Sequence, residues 1–184
     1  MKPHIANIIA LVLMLLLNCT NLEAQNRSAK HISIGKLQNL YQVSDSVYRS
    51  EQPTKADFIA LEQAGIKSVL NLRFLHKDTD VITKSNLKYY HIPMLAFYME
   101  YHKFVLAMKL IKTSPKPILV HCQHGSDRTG AVIALYRIVF QNWTKQAAIR
   151  ELKDGGFGYH PIFFNIPSFI NDIDINEMKQ LINK

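Results

Sequence analysis

One short polar stretch of the chain collects residues whose types and spacing could do chemistry. It runs from His121 to Gly130 with the sequence HCQHGSDRTG. Cys122 offers a thiol nucleophile, and Arg128 offers a planar, permanently charged guanidinium that can hold two oxygens of a phosphate group at once. A thiolate beside a bound phosphate is arranged for in-line nucleophilic displacement at phosphorus.

The flanking sequence predicts that this stretch is a loop between a buried strand and a helix. Residues 117–121 before it are apolar and β-rich, and an apolar helical pattern follows from about Thr129. Such a loop directs several backbone N–H groups into one concavity, and the N-terminus of the helix adds partial positive charge. Gly125 allows the tight turn. The same field would favour both a bound phosphate and the thiolate of Cys122.

The rest of the chain alternates predicted strands and helices around this loop. Thr54 and Asp57 form a capping box for a helix that ends at Gly65, and a helix from Thr144 ends at Gly155–Gly156. The predicted strands are residues 32–34, 47–48, 67–72, 89–92 and 117–121, and two further helices cover residues 104–111 and the region after Thr129. This alternation predicts a single α/β sheet with helices on both faces.

The stretch His121-Cys122-x5-Arg128-Thr129 resembles the signature loop of the cysteine-dependent protein tyrosine phosphatases, particularly their compact dual-specificity branch. The likeness includes the preceding apolar strand, the histidine before the cysteine and the Thr-Gly after the arginine. It extends through residues 48–53, 65–73 and 91–93, is strongest over residues 40–152, and is greatest to bacterial dual-specificity-like phosphatases. The resemblance implies a single-domain, dual-specificity phosphatase-like α/β fold.

The resemblance also implies a role for each residue of the loop. Cys122 would be the nucleophile that forms a phosphocysteine intermediate, Arg128 would bind the phosphoryl group, and Thr129 would offer its hydroxyl to the sulfur. His121 would orient the loop from behind through hydrogen bonds. The residues whose backbone N–H groups would cradle the phosphate are Gln123, His124, Gly125, Ser126, Asp127 and Arg128. No metal and no cofactor would be needed.

The general acid is the point at which the chain departs from the family. The family supplies an aspartate from a loop before the signature, but no aspartate occurs between Asp80 and Asp127, and Glu100 is the only carboxylate at the expected place. Asp127, inside the signature, is the residue we predict to serve as the acid. Glu100 and the pair Asp78 and Asp80 remain alternatives, and Asp127 could instead hold the shape of the loop.

Other chemistry-bearing residues receive simpler interpretations. His121, Cys122 and His124 crowd together without a second ligand cluster, which argues against a zinc site. Arg49 and Arg73, near strand ends, are expected to pair with local carboxylates, and contact with substrate is the alternative. The segment that ends in Tyr159 and His160 would be either a lid over the active site or ordinary packing beyond a glycine turn.

The N-terminus has the pattern of a secretory signal peptide. A basic start and an apolar run over residues 5–17 are followed by polar residues and Ala24, so residues 1–24 are predicted to be removed and residues 25–184 to form the phosphatase domain. The mature chain would then be exported to the periplasm without a transmembrane segment. A lipoprotein anchored through Cys19 and an uncleaved N-terminal anchor are the alternatives.

Composition limits the partners without naming a substrate. The 184-residue chain carries 22 Lys+Arg against 14 Asp+Glu, a net charge of +8, which favours anionic partners. We expect a phosphorylated protein or small phosphorylated substrate, with phosphotyrosine first and phosphoserine or phosphothreonine next. The alternatives are phosphoinositides or inositol polyphosphates, or phosphate binding without turnover by a pseudophosphatase. A sulfurtransferase is disfavoured by Arg128, and no nucleic acid is expected because no recognised module supports one.

Overall fold

Six strands form one mixed sheet that places the end of its central strand at the predicted loop. The computed structural model describes residues 28–184, so the predicted signal peptide and Cys19 lie outside the described residues. The strands are β1 (Lys30–His31), β2 (Tyr41–Gln42), β3 (Val47–Ser50), β4 (Ser68–Asn71), β5 (Lys88–His91) and β6 (Ile118–His121), in the order β1-β2-β3-β6-β4-β5. Pairing is antiparallel from β1 to β3 and parallel across β3, β6, β4 and β5.

Strand β6 lies between β3 and β4 inside the sheet, and all four of its residues are buried. Leu119 contributes to the core on one face, and Ile118 and Val120 contribute to the core on the other. A strand covered on both faces needs a continuous apolar run, and residues 117–120 provide one. Its C-terminal residue His121 pairs with Ser50 of β3 and Asn71 of β4, so three strand ends converge where Cys122 begins.

Helices cover both faces of the sheet, as predicted. On one face lie α1 (Lys55–Gln63) and the short α2 (Thr79–Ile82); on the other lie α3 (Tyr101–Thr113), α4 (Asp127–Gln141), α5 (Lys145–Asp154), α6 (Asn165–Asp172) and α7 (Ile175–Asn183). A 3₁₀ turn covers Pro161–Phe163. Helix α4 is the hub of the larger core, since nearly all of its residues are buried. Within residues 28–184, no helix has the length and apolarity needed to cross a membrane.

Helix caps explain several of the element bounds. The predicted capping box at the start of α1 is present, with Thr54 accepting from the Asp57 backbone and Asp57 accepting from the Thr54 backbone. Thr144 caps α5 by accepting from the backbone N–H of Ala147. These local signals lie within four residues of chain, and this is why the sequence reveals them.

Three features differ from the sequence-based expectations. The first strand is at Lys30–His31 rather than at 32–34, where only Ile32 donates to Leu40 and the ladder does not continue. Helix α4 begins at Asp127 rather than near Thr129, because its first helical bond runs from Gly130 N to Ser126 O. The elements β2, α2, α6 and α7 were not predicted; β2 and α2 are too short to show a period.

Candidate active site

Cys122 lies at the first position after β6, at the base of a loop that leads directly into α4. We call residues 122–126 the cysteine loop. Cys122 is almost fully buried, with 1% of its surface exposed, and its thiol is free. The neighbouring strands hold the loop at its start: Leu72 N donates to His121 O at 2.9 Å, and Gln52 N donates to Gln123 O at 3.1 Å. The nucleophile is therefore positioned by the middle of the sheet.

Gly125 makes the turn that closes the loop. Its φ is +72°, and a Cβ at this position would lie 2.5 Å from the carbonyl carbon of Ser50, so both the backbone angle and the close approach require glycine. Arg49 Nη2 donates to the carbonyl oxygen of Gly125 at 2.6 Å. The turn therefore packs against the end of β3 and is hydrogen-bonded to Arg49 of that strand.

Arg49 brings a second positive charge to the cysteine loop. Its side chain is buried, with the guanidinium 3.8 Å from the centre of the Phe157 ring. Burial lowers its pKa to about 10, and the negative charges of Glu151 and Cys122 act against that lowering, so Arg49 stays protonated at neutral pH. The structure directs Arg49 to a loop carbonyl rather than to a local carboxylate, which corrects the expectation from its position at a strand end.

His121 and Asp78 form the rear support of the loop, and both side chains are fully buried. His121 Nε2 donates to Asp78 Oδ2 at 2.9 Å, while its Nδ1 lies 3.2 Å from the carbonyl oxygen of Cys122. Burial raises the pKa of Asp78, but hydrogen bonds from His121 and Gln52 outweigh it, so the net pKa lies below its usual value. Asp78 therefore acts as a buried carboxylate partner of His121.

Arg128 and Thr129 occupy the first turn of α4. Among the residues that the structure describes, the Nε of Arg128 and the hydroxyl of Thr129 are buried without a hydrogen-bond partner. Buried polar groups without a partner are costly, so each of them needs an explanation. At a helix N-terminus next to a glycine turn, an oxyanion such as phosphate is the ligand that would satisfy them.

Hydrogen bonds among Asn39, Ser126 and Phe157, which are distant in sequence, hold one side of the cysteine loop; we call this set the clasp. Asn39 Nδ2 donates to the carbonyl oxygens of His124 at 2.7 Å and Phe157 at 3.0 Å. Ser126 Oγ donates to the Phe157 carbonyl oxygen at 2.7 Å. The ring of Phe157 lies under Arg49. We call residues 155–160, which contain Phe157, the glycine-rich segment; it forms a wall of the site.

Asp127 faces the glycine-rich segment. Its Oδ1 accepts from the backbone N–H of His160 at 3.0 Å, and its Oδ2 lies 2.9 Å from His160 Nδ1. Asp127 is 4% exposed, whereas nearly half of the His160 side chain is exposed. His160 therefore contacts the signature directly, whereas its sequence context is equally consistent with a lid and with packing beyond a glycine turn.

Besides Asp78, which is paired with His121, the remaining acid candidates are Glu100 and Asp80. Glu100, just before α3, pairs with Lys103 at 2.6 Å and lies 3.7 Å from His102. Asp80 lies exposed on α2, where it accepts a hydrogen bond from Thr79. Of the candidate acids, Asp127 is the one that adjoins Arg128 within the first turn of α4.

An open groove of about 470 Å³ runs between the cysteine loop and the glycine-rich segment. Its lining combines aromatic and polar side chains from β2, the loop and the segment, including Asn39, Tyr41, His124, Ser126, Phe157 and His160. Gln123 and His124 are exposed at the top of the loop. The groove lies beside the cysteine loop, and its lining residues do not include Cys122 or Arg128.

Residues 43–142, more than half of the chain, match the family model described as "Polymorphic toxin system, DSP-PTPase phosphatase". Among curated proteins, the chain is 28% identical over 144 residues to the dual specificity protein phosphatase TpbA of Pseudomonas aeruginosa. That match covers 77% of this chain and 65% of the length of TpbA. The inositol diphosphatase SIW14 of Saccharomyces cerevisiae is 26% identical over 157 residues, covering 80% of this chain and 55% of SIW14.

Solved structures of the same two relatives share the fold. The crystal structure of P. aeruginosa TpbA superposes with a TM-score of 0.76 at 26% identity, covering 86% of this chain and 98% of that one. The core catalytic domain of S. cerevisiae SIW14 superposes with a TM-score of 0.69 at 25% identity, covering 82% and 94%. The likeness extends well beyond the signature to the whole sheet and most of its helices.

Proposed function

The chain belongs to the DSP-PTPase phosphatase family, within the cysteine-dependent protein tyrosine phosphatase superfamily, and we propose that it hydrolyses phosphomonoesters through a phosphocysteine intermediate. One observation carries the proposal: buried Arg128 Nε and Thr129 Oγ1 lack partners within the described residues, beside the loop that holds Cys122. A phosphate dianion at this helix N-terminus would satisfy Arg128 Nε while its phosphorus faces the sulfur, and the Thr129 hydroxyl would be free to donate to that sulfur.

The loop residues divide the reaction between them. The sulfur of Cys122 attacks phosphorus as the bond from phosphorus to the leaving oxygen breaks, and Asp127 gives that oxygen its proton. Water then attacks the phosphocysteine, Asp127 takes a proton from the water, and the S–P bond breaks to release phosphate and the thiolate. Arg128 and the backbone N–H groups hold the transferring phosphoryl group, and Arg49 adds positive charge behind the loop.

Replacing Cys122 tests the chemistry directly. We expect the Cys122→Ser protein to lose at least about 1000-fold in kcat on an aryl phosphate, because serine at neutral pH is a far weaker nucleophile without an adjacent base. Activity of the unaltered chain should persist in a metal chelator and be abolished by vanadate. Turnover by Cys122→Ser at the wild-type rate would overturn the proposal.

Phosphotyrosine is the substrate that we propose first. A solved structure of TpbA is in complex with phosphotyrosine, and the groove beside the cysteine loop here is lined in part by aromatic rings that an aryl substrate could contact. We therefore expect a phosphotyrosine peptide to be turned over with a higher kcat/KM than the matching phosphoserine peptide.

Inositol polyphosphates are the second candidate substrate class, because SIW14 and two Arabidopsis thaliana relatives are named inositol diphosphatases. A profile of initial rates on phosphopeptides, phosphoinositides and inositol polyphosphates separates the two classes. Binding of phosphotyrosine without turnover of any of these substrates would favour a pseudophosphatase instead.

We also propose that the chain is exported, on the strength of the basic start and the apolar run at residues 5–17. Cell fractionation followed by N-terminal sequencing tests this. A mature N-terminus at Gln25 in the periplasmic fraction supports cleavage after Ala24. A lipid-modified N-terminal cysteine, lost in Cys19→Ala, would indicate the lipoprotein form instead.

A further inference from the structure

Three side chains of metal-binding type meet at the edge of the cysteine loop. His124 belongs to the loop, Asp127 begins α4, and His160 ends the glycine-rich segment 33 residues further along the chain. One ligand atom from each, an imidazole nitrogen or a carboxylate oxygen, lies within 4.8 Å of the other two. The sequence indicates only His121, Cys122 and His124 as candidate ligands, whereas the fold groups His124 with Asp127 and His160 instead.

The carboxylate of Asp127 is held in the way that metal-binding carboxylates are held. The backbone N–H of His160 occupies its Oδ1 at 3.0 Å, which fixes the carboxylate plane and leaves Oδ2 directed at the His160 ring. Ligating carboxylates are commonly anchored through such a hydrogen bond on the other oxygen. The separation of 2.9 Å between Oδ2 and Nδ1 is near the spacing of about 3.3 Å between two ligands of a tetrahedral zinc ion.

Both imidazole rings can reach a shared ion. His124 and His160 are exposed, their ring centres are 5.4 Å apart, and a ring nitrogen of each lies within 4.8 Å of a carboxylate oxygen of Asp127. Two imidazoles and one carboxylate form a ligand set that suits divalent first-row transition metals, and zinc in particular.

We propose that the side chains of His124, Asp127 and His160 form a binding site for a divalent transition-metal ion such as Zn²⁺ at the edge of the phosphate cradle. The ion would replace the hydrogen shared by Asp127 and His160 and would tie the glycine-rich segment to the cysteine loop. Because a metal-bound Asp127 can no longer donate a proton, occupancy of this site inhibits turnover. The N-terminus of α4 and Arg128 repel a cation, so we expect binding to be weaker than at a structural zinc site, and reversible.

The binding test uses the Cys122→Ser chain, which removes the thiol as a competing ligand and makes the result independent of phosphatase activity. Isothermal titration with Zn²⁺ should show one saturable ion per chain, and Co²⁺ should give the visible absorption of a low-symmetry nitrogen- and oxygen-bound ion. Adding His124→Ala or His160→Ala should weaken Zn²⁺ binding by about tenfold or more.

His102→Ala is the matched control, because His102 is also an exposed histidine near a carboxylate but lies on α3. It should leave the affinity for Zn²⁺ unchanged. The proposal is overturned if Zn²⁺ shows no saturable binding, or if the His124 and His160 variants bind it as tightly as the His102 variant does. Thermal unfolding of each variant verifies that a lost affinity does not reflect a lost fold.

A second arm uses the chain with Cys122 intact. If it is active, Zn²⁺ should inhibit hydrolysis of an aryl phosphate, and the concentration for half inhibition should rise about tenfold in His124→Ala relative to the His102→Ala control. Equal sensitivity of the two variants would place the inhibitory ion elsewhere, for instance on the thiolate, and would contradict the proposed link to turnover. If the chain had no phosphatase activity, the Zn²⁺-binding test on the Cys122→Ser chain would still decide whether the metal site exists.

Discussion

Two features of Asp127 bear on proton transfer. It precedes Arg128 directly in the chain, and both of its carboxylate oxygens contact His160. We expect Asp127→Asn to lower kcat on a phosphotyrosine peptide about 100-fold, because amide nitrogen cannot protonate the leaving oxygen. The loss should be much smaller on an aryl phosphate whose leaving group is a weak base, since that group departs without a proton. Steady-state kinetics on both substrates measure the difference.

Glu100→Gln is the comparison for Asp127→Asn. Glu100 is paired with Lys103 and His102, and its replacement should cost less than about threefold in kcat on either substrate. If Glu100→Gln rather than Asp127→Asn gave the loss that depends on the leaving group, the acid would have to be reassigned to the loop before α3.

Asp78 gives a pH-dependent prediction about stability. Its pKa in the folded chain is below the ordinary value of 3.8, because the hydrogen bonds from His121 and Gln52 outweigh the opposing effect of burial. A lowered folded pKa stabilises the fold above the unfolded pKa, and this contribution is lost as the pH falls through the folded pKa. We expect Asp78→Asn to lower the free energy of unfolding by about 2–3 kcal/mol at pH 7.

Denaturant unfolding at pH 7 and at pH 3 tests this expectation. The difference between the two proteins should be largest at pH 7 and should shrink toward pH 3 as the carboxylate becomes protonated. A difference that stayed constant over this interval would mean that the charge of Asp78 does not stabilise the fold.

At the scale of elements, the junction of β6 and α4 depends on Gly125. Gly125→Ala should destabilise the chain by about 2–4 kcal/mol, because it combines a positive φ with a Cβ that meets the Ser50 backbone. Gly65→Ala is the matched control: its φ is +93°, but nothing lies within 4 Å of the added Cβ. It should cost only about 1–2 kcal/mol.

Thermal and denaturant unfolding of the two alanine variants separate the cost of the backbone angle from the cost of the contact. Activity should fall in Gly125→Ala alone, because only that change moves the cysteine loop. Equal destabilisation by the two substitutions would show that the loop yields to the added methyl group.

The elements around this junction could be predicted from sequence, whereas the walls of the site could not. Cys122, Arg128 and the strand and helix beside them are within one short stretch, where apolar period and loop residues act locally. Arg49, Asn39, Phe157 and His160 reach the same loop from distant positions. These residues come close to the loop because of the order of the strands in the sheet and the course of the chain after α5. No local sequence pattern encodes either of them.

At the scale of the whole molecule, net charge should influence how substrates arrive. The chain carries a formal charge of +8, and its site is open toward solvent. We expect the KM for an acidic phosphopeptide to rise about two- to fivefold between low and moderately high salt, while kcat changes little, because salt screens long-range attraction. For a phosphopeptide whose flanking residues are uncharged, the KM should rise less with salt concentration. The same rise in KM for both peptides would contradict attraction of the substrate by the net charge of the chain.

The clasp formed by Asn39, Ser126 and Phe157 shows that the signature alone does not make a working site. Residues 121–130 contain the thiol and the guanidinium, but contacts from Phe157 and His160 hold the loop that carries them. A chain shortened before Phe157 would keep the whole signature and would lack the clasp, the partner of Asp127 and the ring against which Arg49 packs. Competence is therefore a property of the folded domain, and a peptide that carries the signature by itself would not have it.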